Sequence, residues 1–149
     1  MSQSDAEQDR YDLQRFIAAQ DPMYSKVVDE LRRGHKQMHW IWFIFPQVVG
    51  LGYSSTAQRY GIRSRDEARA YLAHPLLGGR LLECTELVLG HAEKSAHEIF
   101  GSPDDLKFRS SMTLFGAVSA RALFRTALDR FYGGIPDEAT LAIMAPWAA

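Results

Sequence analysis

The sequence predicts an all-α fold: a compact, multihelical single domain of about six to eight helices. Three observations carry that expectation. Apolar residues recur at helical spacing along most of the chain, serine- and proline-based helix starts punctuate it, and only the Trp40–Phe45 run offers a plausible strand. The 149 residues fit one domain. A chain of this size buries roughly 68–70% of its unfolded surface, enough for a core without disulfide or metal staples.

Residues 1–10 hold no apolar side chain beyond Met1 and Ala6, so they are expected to form a flexible tail ahead of a helical domain over 11–149. Leu13, Phe16 and Ile17 open the helical spacing, and Val27, Val28 and Leu31 continue it. Between them, Asp21 is expected to cap a second helix started by Pro22, which ends with Arg32-Arg33 and Gly34. Trp40–Phe45 could be a buried strand or a buried helical segment, because periodicity does not separate the two in so short a run. Pro46 ends either one. Gly50, Gly52 and Gly61 mark a loop around Ser54-Ser55-Thr56. Ser64 with Glu67 reads as a capping box opening a helix through Leu72. His74-Pro75 breaks the chain and starts a leucine-rich helix. Ser95 with Glu98 forms a second box before Ile99-Phe100. Ser102-Pro103-Asp104-Asp105 starts a helix through Phe115, with the serine as cap and the proline in the first position. Further helices are expected over 120–131 and from Pro136, joined by Gly133-Gly134.

Composition narrows the functional classes. Net charge is −1, from 17 basic and 18 acidic residues, so no global field favours nucleic acid or an acidic membrane. No apolar run approaches the ~20 residues that span a bilayer, and the N-terminus is polar and acidic, unlike a signal peptide. The expected location is therefore cytoplasmic. The single cysteine, Cys84, excludes an intramolecular disulfide and a cysteine-rich zinc site. Its apolar helical setting reads as a buried, inert thiol.

The densest chemistry lies at His35–Pro46, where two histidines and a lysine run into Trp40, Trp42, Phe43 and Phe45. His35 and His39 have the i, i+4 spacing of paired metal ligands on a helix. However, Lys36 stands where a zinc protease motif has glutamate, and its charge would repel a cation. No metal and no cofactor are expected, and His39 reads as a core-margin hydrogen-bonding group or a ligand contact. Gly50-Leu51-Gly52 lacks the lysine and hydroxyl ending of a phosphate-binding loop, so a tight turn is the simpler reading. Ser54 could still offer an anion its hydroxyl. Lys107 and Ser111 share a helix face, although Ser110-Ser111 fits helix packing better than catalysis. His74 and Arg80 form another polar pair beside leucines.

The stretch combining Gly34-His-Lys36, His39-Trp-Ile-Trp-Phe-Ile-Phe-Pro-Gln47, Gly50-Leu-Gly52, Glu67-Ala68, His74-Pro75, Asp104-Asp-Leu-Lys107 and Ser110-Ser-Met-Thr-Leu-Phe115 resembles the family called domain of unknown function 1810 (DUF1810). The likeness spans residues 11–145. It implies a compact all-helical fold and turns the Trp40–Phe45 alternative towards helix. It supplies no activity. Some members carry the label calpastatin, but a globular chain without disordered inhibitory repeats does not fit protease inhibition. In layout alone the chain also resembles the NADAR group, which acts on N-glycosidic and ADP-ribose linkages. The glutamate that chemistry needs is not identifiable here.

Two expectations follow. In the first, Lys36, His39, Trp40, Gln47, Ser54, His74, Arg80, Lys107 and Ser111 contact a small nucleotide-like or phosphorylated ligand in an aromatic- and cation-lined pocket. In the second, the chain is a non-catalytic helical module for protein interaction or self-association, with an exposed tryptophan cluster. Neither expectation involves nucleic acid or a membrane as partner, and the sequence fixes neither the oligomeric state nor whether the protein is an enzyme.

Overall fold

A computed structural model describes residues 9–148, which fold into ten helices. They are α1 (Gln14–Gln20), α2 (Tyr24–Arg33), α3 (Ile41–Ile44), α4 (Ser55–Tyr60), α5 (Arg65–Ala73), α6 (Pro75–Leu89), α7 (Ala96–Phe100), α8 (Asp104–Val118), α9 (Ala122–Tyr132) and α10 (Glu138–Met144). The all-α class stands, but six to eight helices is an undercount. The extra elements are short: α3 and α4 span only 4 and 6 residues. Helices of one or two turns present too few apolar positions to show a 3.6-residue period.

Helix α8 is the centre of the fold, packing against α3, α5, α7, α9 and α10. Its residues Ser110–Phe115 are buried without a break, as in a helix surrounded on all sides. Phe108 on α8 meets Phe45 edge-on at 4.9 Å and stacks with Phe100 at 4.7 Å between ring centroids. This aromatic chain ties the Trp40–Phe45 segment and α7 to the central helix. Around it Phe16, Leu31, Tyr71, Leu77 and Phe124 complete one contiguous core. Each such side chain contributes about 1.5–3 kcal/mol on burial. Close approach matters at Gly78 on α6, where a Cβ would lie 2.1 Å from the Leu72 carbonyl oxygen.

Helix boundaries follow local chemistry. Ser54, Ser64 and Ser95 accept backbone hydrogen bonds from Ala57, Glu67 and Glu98, and only the Ser95–Glu98 box is reciprocal. His74 caps α6 through Nδ1, which accepts from the Leu76 and Leu77 amides at 3.1 and 3.2 Å. Two expected starts shift, and one expected loop is helical. Asp21 closes α1 instead of capping α2, whose cap position is Met23. Pro103 takes the α8 cap position in place of Ser102. The segment read as a loop around Ser54-Ser55-Thr56 contains α4, capped by Ser54. The expected tail falls mainly on residues 1–8, outside the described residues; Asp9 already accepts from the Leu13 amide at 2.5 Å.

Glu30, on the buried face of α2, organises the approach to α3. Its Oε1 accepts from the Gln37 amide (2.8 Å), the Met38 amide (3.1 Å) and the Trp40 indole N–H (2.9 Å). Burial opposes the charged carboxylate, but these donors outweigh it and hold the carboxyl below its usual range. A depressed carboxylate stabilises the fold above its unfolded pKa of roughly 4.3 and loses that contribution as pH falls through the folded value. Glu30→Gln is therefore expected to be less stable than the native chain at pH 7 and to lose less stability on acidification. Urea unfolding of both proteins at neutral and acidic pH measures the difference.

Candidate functional site

Pro46 leads the chain out of the core, and it returns at Ile62. Ile62 N–H donates to Gln47 O and Val49 N–H to Ile62 O, each at 2.9 Å, closing a loop that carries α4. Gly61 permits the return, since a Cβ there would lie 2.8 Å from Val49 Cα. Within the loop, Gly50 adopts φ +104°, which a side chain would strain. The turn at Gly50–Gly52 presents Tyr53 with 86% of its surface exposed.

This loop faces α8 and the start of α10 across a cleft of about 490 Å³. One wall carries Trp42, Gln47, Tyr53 and Ser54, and the other Leu106, Lys107, Ser110 and Asp137. The Lys107 ammonium lies 4.5 Å from the Trp42 ring centroid, a cation–π geometry. It is also 3.5 Å from Asp104 Oδ1. The other oxygen of Asp104 is held at 2.6 Å by Lys36, whose side chain is 4% exposed. Lys36 thus neutralises Asp104 from beneath, and Lys107 keeps the looser pairing at the surface. Asp137 Oδ2 accepts from Ser110 Oγ and the Thr140 amide, each at 3.1 Å, and from Thr140 Oγ1 at 2.5 Å. These bonds cap α10 and fix the carboxylate in the cleft wall.

Three residues singled out in the sequence, Gln47, Ser54 and Lys107, come together here. The other six do not line the cleft. Trp40 is fully buried, as core. Lys36 donates to the Met38 carbonyl and lies 5.0 Å from the Trp40 ring, pinning the α2–α3 connection to α8. His39 is exposed, and among the described residues it makes no hydrogen bond. With His35 it lies in an irregular segment, so the one-face geometry of paired metal ligands does not arise. His74 is occupied as a cap. Arg80 donates to Gln20 Oε1 (3.2 Å) and Asp21 Oδ1 (2.9 Å) and covers the Tyr24 ring, joining α6 to α1 and α2. Ser111 is fully buried, and its Oγ has no hydrogen-bond partner among the described residues.

The sequence does not single out Trp42, Tyr53 or Asp137 as site residues. No local signal separates Trp42 from Trp40, because a strand would place positions two apart on one face and a helix on opposite faces. Nothing local marks Asp137, which the Gly133-Gly134 turn brings back beside Ser110. Cys84 is buried, and burial pushes its thiol up to about 12 against the hydrogen bond it gives Tyr24, so it stays protonated at neutral pH. No histidine lines the cleft among the described residues, so the Ser110–Asp137 contact lacks the base of a serine nucleophile. The arrangement suits binding: aromatic surface, one accessible cation, two hydroxyls, an amide and a fixed carboxylate.

No helix among the described residues is long and apolar enough to cross a membrane. Among curated proteins, none matches the chain. The structure is similar to the crystal structure of the conserved hypothetical protein Rv1873 from Mycobacterium tuberculosis. The two share 54% sequence identity and a TM-score of 0.91, over 92% of this chain and 99% of that one. The profile of the family described as "Protein of unknown function (DUF1810)" matches residues 10–144. The chain belongs to the DUF1810 family.

Proposed function

We propose that the cleft between the Pro46–Ile62 loop and α8 binds a small molecule joining a flat, nucleobase-like ring to a phosphate. The observation that supports this most directly is the placement of Lys107, an accessible ammonium beside an aromatic wall, with its carboxylate partner already neutralised by Lys36. A phosphate can take over the 3.5 Å pairing to Asp104 without leaving that carboxylate unpaired. Tyr53 and Trp42 offer ring surface for stacking, while Gln47, Ser54, Ser110 and Asp137 offer hydrogen bonds to a base or sugar. A cleft of about 490 Å³ has the size typical of small-ligand sites. The self-association reading relied on an exposed tryptophan cluster, and the burial of Trp40 weakens it.

Thermal-shift and calorimetric titration with nucleoside monophosphates, ADP-ribose, sugar phosphates and the matching unphosphorylated nucleosides tests the reading. A phosphorylated nucleoside should raise the melting temperature more than its parent nucleoside. Lys107→Met should weaken that binding about tenfold or more, the loss of one charge-assisted bond. Its stability should stay within about 0.5 kcal/mol of the native protein, as for a surface substitution. No response to any of these ligands, or equal binding by Lys107→Met, would overturn the proposal.

A further inference from the structure

Helix α4 has a second side. Ser54 and Ala57 face the cleft described above, whereas Ser55, Gln58 and Arg59 line a separate groove of about 720 Å³ against the N-terminal segment and the start of α5. Four guanidiniums line this groove (Arg10, Arg15, Arg59 and Arg63), against the carboxylates of Asp12 and Glu67. The chain as a whole carries a net charge of −1, so this local excess of positive charge runs against its overall balance.

The four arginines are not equivalent. Arg15 is a strut: its side chain is 8% exposed, it pairs with Glu67 at 2.7 Å, and its remaining donors go to backbone carbonyls. Arg10, Arg59 and Arg63 are exposed. Arg10 and Arg59 lie over the neighbouring Tyr11 and Tyr60 rings, and Arg63 spends one donor on the Gln58 carbonyl at 3.3 Å. Glu67 cannot neutralise them, because its two oxygens are committed to Arg15 and to the Arg63 amide. Asp12 is the remaining carboxylate in the lining.

From this we infer a second, separate anion site that takes a multiply charged phosphate chain of the pyrophosphate or triphosphate class. Planar guanidinium forks match phosphate oxygens in pairs, and three exposed guanidiniums around one groove carry a charge that a pyrophosphate or triphosphate chain matches better than a single phosphate does. Ser55 and Ser64 add hydroxyls to the lining. The site stands independently of the Lys107 cleft.

Calorimetric titration of the full chain with inorganic pyrophosphate and tripolyphosphate, with sulfate at matched ionic strength as the comparison, tests it. Both phosphate chains should bind more tightly than sulfate. The Arg59→Gln/Arg63→Gln double variant should lose about tenfold or more in affinity, as should Arg10→Gln on the N-terminal segment, both with unchanged melting temperatures. Lys107→Met should bind as the native protein does. Equal binding of sulfate, retention of affinity by the arginine variants, or its loss in Lys107→Met would each overturn the assignment.

Discussion

Arg15→Met is expected to destabilise the protein by about 3–5 kcal/mol, the cost of breaking a buried ion pair by removing one partner. Few side chains in the fold are so fully engaged. The Arg15 and Glu67 side chains are 8% and 4% exposed and meet at 2.7 Å. Nε donates to Arg59 O, Nη1 to Tyr11 O and Asp12 O, and Nη2 to Gly61 O as well as to Glu67. One guanidinium therefore fastens the N-terminal segment to both the end of α4 and the start of α5. Without it, Glu67 keeps only the Arg63 amide at Oε1, and a buried carboxylate loses its countercharge. Arg15→Lys should fail to rescue, because an ammonium has three donors and no planar fork. The double variant Arg15→Met/Glu67→Met should recover part of the loss, since it removes the orphaned charge along with the pair. Urea unfolding of the native protein, Arg15→Met, Glu67→Met and the double variant provides the cycle, with Arg15→Lys measured beside them. A loss below about 1 kcal/mol for Arg15→Met would show that the pair is only a surface contact.

The part of this architecture legible in the sequence is the part written in local chemistry. Helix starts at Ser64, Pro75 and Ser95 were readable because a cap needs only a side chain and an amide two or three residues away. Arg15 was not readable, because its partners lie up to 52 residues further along the chain. The candidate site divides in the same way. Gln47, Ser54 and Lys107 could be picked out as polar residues beside an aromatic block. His74 and Arg80 have the same appearance in sequence but are consumed by capping and by an inter-helix ion pair. Polar residue types at a core margin identify groups that must be satisfied; only tertiary structure shows whether the protein or a ligand satisfies them.

The two tryptophans of the aromatic block make the sharpest case, because residues two positions apart should behave oppositely. Trp40→Ala is expected to cost about 3–5 kcal/mol, the usual range for deleting a fully buried large aromatic side chain. Its ring is inaccessible, packs at 6.3 Å from Phe45, and donates its indole N–H to Glu30 at 2.9 Å. Truncation would open a cavity beside α8 and take one of three donors from a buried carboxylate. Trp40→Phe should cost less, because it keeps most of the packing and loses chiefly the indole hydrogen bond, worth about 1.5–3 kcal/mol to a charged acceptor. Trp42 is half-buried, and its ring supports Lys107 on the cleft wall. Trp42→Ala should therefore lower the melting temperature less than Trp40→Ala while abolishing the ligand response of the cleft. Chemical denaturation and ligand titration of the two alanine variants, side by side, separate core from site. If Trp42→Ala unfolded the protein and Trp40→Ala left it stable, the assignment of the two faces would be inverted. The aromatic block would then have to be read as an exposed surface with Trp40, not Trp42, at the ligand.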